Sequence, residues 1–118
     1  MKYFRLCFIV LIASVSFAKT PAPKIWSGYL MDKMCSKRMV GNHDKTMKHT
    51  KTCLTEDECS MSGFGVMTDK KFIPFDAKGN ELAANSLKTT QKSSDFQVEV
   101  TGAMKGKKIA VSDLKEKN

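Results

Sequence analysis

Residues 25–31, Ile25-Trp26-Ser27-Gly28-Tyr29-Leu30-Met31, read as a β-strand, and the rest of the chain is read outward from it. Successive side chains of a strand point to opposite faces. Ile25, Ser27, Tyr29 and Met31 therefore share one face, and Trp26, Gly28 and Leu30 the other. The same alternation returns at Phe96, Val98 and Val100, separated by polar residues, in a strand running to about Ala103. Between these two stretches Gly63-Phe64-Gly65 opens a strand to about Met67. Thr68-Asp69-Lys70 turns it into a further strand, Lys71 to Phe75. Asp76 to Asn80 is dense in turn formers, and Asn80 is positioned to cap a helix over Glu81 to Thr89 with Leu82, Ala83 and Leu87 as its apolar stripe. Lys105-Gly106-Lys107 turns the chain into a last strand carrying Ile109, Val111 and Leu114.

The order is strand, long insert, strand, strand, helix, strand, strand. Five short strands with one helix between the third and fourth is the chain order of an OB-fold, a small Greek-key barrel. A mainly β, OB-fold-like barrel is thus expected for residues 25–118, with a five-stranded open α+β sheet as the alternative. The insert, Asp32 to Ser62, is too long to lack structure in a compact domain. Thr46 to Leu54 is expected to form about two helical turns, and Thr55 with Glu58 fits a capping box for another turn at 55–60.

The chain holds 118 residues, 20 of them Lys or Arg against 12 Asp or Glu, a net +8. Its first residues read as an export signal. Lys2 and Arg5 precede an apolar run, Leu6 to Phe17, and Ser16-Phe17-Ala18 suits cleavage after Ala18. That run is 12 residues long, short of the ~20 a spanning helix needs. The expected division is a signal peptide at 1–18, a linker at 19–24 containing Pro21 and Pro23, and one domain at 25–118, exported to the periplasm or the exterior without a transmembrane segment. Without Lys2 and Arg5 the basic residues fall to 18 against 12 acids, leaving +6. Such a charge draws a protein to anionic surfaces. Lys45, Lys48 and Lys51, in the densest basic stretch, are the candidate contacts with an anionic envelope component or small ligand. Export makes nucleic acid an unexpected partner.

Three cysteines follow the signal: Cys35, Cys53 and Cys59. In an oxidising compartment they invite a disulfide. Cys35 follows the first strand and Cys59 precedes the second, so pairing of those strands brings Cys35 and Cys59 together. Closing that loop of 25 residues stabilises by about 3 kcal/mol on the chain-entropy model. Cys35–Cys53 and Cys53–Cys59 are alternatives. One thiol is left over, to stay free, to bridge two chains into a covalent dimer, or to ligate a metal. On a helix His49 and Cys53 would share a face. With Met34, Met39, Met47 and Met61 nearby, Cys35, His49, Cys53 and Cys59 make a candidate zinc or copper(I) site. Asp32, Asp44, Glu56, Asp57 and Glu58 are the remaining carboxylates of interest. No nucleophile elbow, phosphate loop or hydrolase-like His/Asp/Ser arrangement is present, and no catalytic residue is assigned.

The pattern Trp26-x-Gly28-Tyr29-x-x-Asp32-x-x-Cys35, then His49-x3-Cys53-x5-Cys59, Gly63-Phe64-Gly65, Val98-x-Val100-x-Gly102 and Ile109-x-Val111 resembles that of small exported bacterial proteins of OB-like build. The resemblance spans most of residues 25–114 and implies fold and location rather than an activity. Three functions are left in play: a non-enzymatic binding module for an anionic ligand, a periplasmic zinc or copper protein, and a thiol redox protein using Cys53 or Cys59.

Overall fold

The computed structural model describes residue 14 and residues 22–117. The expected signal peptide therefore lies, apart from residue 14, outside the described residues, as does the first half of the linker, 19–21. The strands are β1 (Lys24–Asp32), β2 (Phe64–Met67), β3 (Phe72–Pro74), β4 (Gln97–Lys105) and β5 (Lys108–Glu116). The helices are α1 (Lys33–Met39), α2 (His43–Met47), α3 (Lys51–Thr55), α4 (Asp57–Met61) and α5 (Ala77–Thr89). No helix among the described residues is long and apolar enough to cross a membrane.

The strands form one antiparallel sheet in the order β3-β2-β1-β4-β5. β1 is its hub. Lys24 to Tyr29 pair with β4, and Tyr29 to Asp32 pair with β2. The β4–β5 ladder shifts register between Thr101 and Gly102. The two outer strands are joined at one point, a parallel bridge from Phe75 to Ile109, rather than by a full ladder. Asp76 reinforces it. Its N–H donates to the Ile109 carbonyl at 3.0 Å, and its Oδ1 accepts from the Val111 N–H at 3.2 Å.

One face of the sheet, through Leu30, Val66, Ile73, Val98, Val100, Ile109 and Val111, packs with Phe64, Phe75, Phe96, Leu54, Ala83 and Leu87 into the core. Each Val, Leu, Ile or Phe among them stabilises the fold by ~1.5–3 kcal/mol when fully buried. Trp26 and Leu82 pack against its margin. On the opposite face of β1, Met31 is also fully buried, where α1 and α2 pack on the strand. Gly79 lets α5 approach closely: a Cβ there would stand 2.6 Å from both Phe75 Cβ and Val111 Cγ2.

Several expectations are corrected. Among the described residues there are five helices, four of them in the insert, where helix was expected only over 46–54 and 55–60. β1 begins at Lys24, one residue inside the expected linker. α5 starts a turn early because Asp76, not Asn80, caps it, accepting from the Gly79 N–H at 2.9 Å. Asn80 instead accepts the Phe64 N–H at 2.8 Å, fixing the start of β2. The continuous helix over 46–54 is broken. Thr50 takes extended backbone (φ −92°, ψ 157°) and caps α3 by accepting from Cys53 N–H, so residues 48–50 separate α2 from α3. Thr55 does not open a capping box, because its hydroxyl donates back to the Lys51 carbonyl at 2.8 Å.

Candidate metal centre

The centre forms where β1 ends. Asp32 is the last residue of β1 and the N-cap of α1. The first amides of a helix lack partners within it, and a carboxylate at the N-cap supplies one. Asp32 Oδ2 accepts the Cys35 N–H at 2.9 Å. This places Cys35 on the first turn of α1, directly over the carboxylate. The other oxygen, Oδ1, lies 2.9 Å from His49 Nε2. Asp32 is 0% exposed and His49 6%. A buried carboxylate needs such partners, since its desolvation alone costs several kcal/mol.

The second sulfur comes from the far end of the insert. β1 and β2 pair with Asp32 opposite Phe64, so the residues just before β2 return to the start of α1. Lys33 N–H donates to the Gly63 carbonyl at 2.9 Å. Ser62 Oγ accepts from Met34 N–H at 3.2 Å and donates to the Cys59 carbonyl at 2.6 Å. These bonds fasten α4 against α1. Cys59 is buried and Cys35 half-buried, both free thiols, with sulfurs 4.1 Å apart and unbonded. One oxygen of Asp32 and the two Sγ atoms lie within 4.8 Å of one another. Among the described residues this is the one such group of three His, Cys, Asp or Glu side chains.

The electrostatics of this group favour protonated thiols. Burial, followed by the Asp32 charge, its hydrogen bond and Cys59, pushes the Cys35 thiol up to about 12. Burial and the Asp32 charge likewise push Cys59 up. For Asp32 burial acts upward, but the His49 hydrogen bond, the Cys35 N–H and thiol, and the His49 charge together hold it below its usual value. The carboxylate is thus the settled anion and the thiols hold their protons. Reactive thiols need a lowered pKa, so neither Cys35 nor Cys59 is set up as a redox nucleophile. A bound cation would reverse the balance, because metals bind thiolates and displace their protons.

Of the residues expected to form a metal site, the structure brings together Cys35 and Cys59. His49 reaches the group only through Asp32 and is not one of its three members. Cys53 sits half-buried on α3, outside the group. His49 and Cys53 do not share a helix face, since His49 precedes the α3 cap. Asp32 is the functional residue whose role sequence reading missed. The signal was its spacing: an aspartate at a strand end, three residues before a cysteine, is an N-cap with that cysteine at the third helical position. Lys45 and Lys48 are exposed on α2 and at its end. Lys51 is half-buried, its N–H donating to the Ser93 carbonyl at 2.8 Å and its Nζ reaching the Thr90 carbonyl at 3.4 Å.

Comparison with known proteins adds no relative: no family model, no curated protein and no solved structure matches this chain.

Proposed function

We propose that this chain is a zinc-binding module of OB-like build, with Asp32, Cys35 and Cys59 as ligands and His49 as the outer partner that orients the carboxylate. The observation that carries this reading is the single cluster of one oxygen and two sulfurs within 4.8 Å. The donor set suits zinc in type and spacing. Tetrahedral geometry with Zn–S near 2.3 Å requires sulfurs about 3.8 Å apart, against the 4.1 Å present before any ion draws them together. Charge separates zinc from copper(I). Asp32 and two thiolates carry three negative charges, of which a dication leaves one and a monocation two. Uncompensated charge is expensive in a buried site, so the dication fits better.

Three protein ligands leave a fourth position for water or a donor from elsewhere. That suits exchangeable rather than purely structural metal. The strand order and the Phe75–Ile109 bridge support the OB-like barrel as the scaffold, and the export expected from a signal at residues 1–18 favours metal handling outside the cytoplasm.

The test is anaerobic zinc titration of the reduced chain against a chromophoric chelator. One equivalent should bind, and Cys35→Ser or Cys59→Ser should each abolish tight binding. Zinc uptake unaffected by both substitutions would overturn the assignment.

A further inference from the structure

A cleft of about 400 Å³ opens between the insert and α5. Lys51 and Thr55 of α3 and Ser60 of α4 form one wall, and Ala84, Leu87 and Lys88 of α5 the other, with Phe64 of β2 between them. Ala84, Leu87 and Lys88 stand three and four residues apart and so share one helix face, as do Lys51 and Thr55 on α3. The volume falls in the range of ~300–1,000 Å³ that small-molecule sites occupy.

The cleft has an apolar end and a cationic end. Phe64 N–H donates to Asn80, in the first half of α5, at 2.8 Å. Lys51 Nζ reaches the carbonyl of Thr90, the C-cap of α5, at 3.4 Å. From Asn80 to Thr90 the helix runs about 15 Å at 1.5 Å per residue. Phe64 and Leu87 are core residues, 4% and 2% exposed, and with Ala84 they make the apolar floor. Lys88, exposed on the last turn of α5, stands at the Lys51 end.

The polar lining is short of one thing, an anion. Thr55 donates to the Lys51 carbonyl at 2.8 Å and Ser60 to the Asp57 carbonyl at 3.2 Å, so both hydroxyls have partners. No Asp or Glu lines the cleft. Neither Lys51 nor Lys88 joins an ion pair among the described residues. The Thr90 contact uses one of the three donors of the Lys51 ammonium and holds it at the rim. Of Lys45, Lys48 and Lys51, only Lys51 lines the cleft. An apolar floor with two unpaired ammonium groups at one end is complementary to an anionic head on an alkyl tail.

We propose that this cleft binds a medium-chain fatty acid, its alkyl chain against Phe64, Ala84 and Leu87 and its carboxylate between Lys51 and Lys88. Asp32, Cys35 and Cys59 do not line the cleft, so the site does not rest on the metal centre.

The probe is sodium decanoate, titrated below its micelle concentration into the full chain with a chelator present and followed by NMR. Saturable shifts should appear at Phe64, Ala84 and Leu87. Affinity should rise from hexanoate through octanoate to decanoate, by up to about four-fold per added methylene. Decyltrimethylammonium, with the same tail and the opposite charge, should bind more weakly. Lys51→Gln and Lys88→Gln should each weaken decanoate by about two- to five-fold, the range of one solvent-facing ion pair, and leave binding of uncharged 1-octanol unchanged. Ala84→Leu keeps a strong helix former and fills the cleft, so decanoate binding should be lost while a melting curve shows the fold retained. Should that variant not fold, the two lysine variants decide the question. Shifts that never saturate, affinity indifferent to chain length or to both lysine substitutions, or equal binding of the cationic amphiphile would overturn the proposal. So would a dimer of this chain that Ala84→Leu dissolves, since a second copy would then be the occupant.

Discussion

Replacing Asp32 by Asn separates the charge of this residue from its shape. Asparagine is as good an N-cap as aspartate, so the bond from Cys35 N–H, 2.9 Å in the parent, survives. The contact to His49, also 2.9 Å and buried at both ends, changes from a charged hydrogen bond to a neutral one. Charged hydrogen bonds contribute ~1.5–3 kcal/mol and neutral ones ~0.5–1.5, so the loss is about 1–2 kcal/mol. For a domain of this size that lowers Tm by about 4–15 °C. The thiols respond in the opposite sense. Asp32 is the largest cause after burial of the raised Cys35 pKa, about 12 in the parent, so removing the charge brings it down. Alkylation of Asp32→Asn at pH 9 should therefore be faster at Cys35 than in the parent. Zinc affinity should fall by more than the ~10–100-fold typical of losing an outer partner. The assays are thermal melting, iodoacetamide kinetics with peptide mapping, and chelator competition. A variant with parental Tm and parental Cys35 alkylation would refute the argument that Asp32 organises the site.

Cys53→Ser should leave zinc stoichiometry unchanged by chelator assay, because Cys53 stands outside the ligand cluster. Stability of the metal-free, reduced protein should fall as pH rises from about 8.5, the unperturbed thiol pKa, towards the folded value near 12 of Cys35: in that window the unfolded chain has lost protons that the folded chain keeps. Asp32 has the other sign. Its pKa is lowered in the fold, so its contribution is complete above about 3.9 and is lost as pH falls through the lower folded value. Denaturant titration across pH reads both limbs. Gly79→Ala should destabilise by about 1–3 kcal/mol from overpacking, since the added Cβ would meet Phe75 and Val111 at 2.6 Å; a melting curve matching the parent would contradict that.

The strands were legible because their side chains alternate, and β1, β2, β4 and β5 lie within a few residues of where that alternation puts them. The meeting of Cys35 and Cys59 followed from one topological step, the pairing of β1 with β2. The insert was harder to read. Its helices are four short pieces, the first three set by side-chain caps, with Asp32, Asn42 and Thr50 each accepting an amide three residues on. Such a cap is one polar residue at one position, and it competes with apolar periodicity that points to a longer helix over 46–54. The choice of Asp76 over Asn80 as the α5 cap depends on β5, whose Val111 N–H shares the Asp76 carboxylate, a contact 35 residues away. The His49–Asp32 pair spans 17 residues and crosses two helix breaks, so no local spacing announces it.

The most direct test of the metal centre is native mass spectrometry of the chain purified under reducing, zinc-replete conditions, followed by alkylation of the folded protein and peptide mapping. One zinc per chain, with Cys35 and Cys59 protected from alkylation and Cys53 labelled, is the result the account predicts. A metal-free chain in which Cys35 and Cys59 alkylate freely, or are recovered joined in a disulfide despite added zinc, would contradict it.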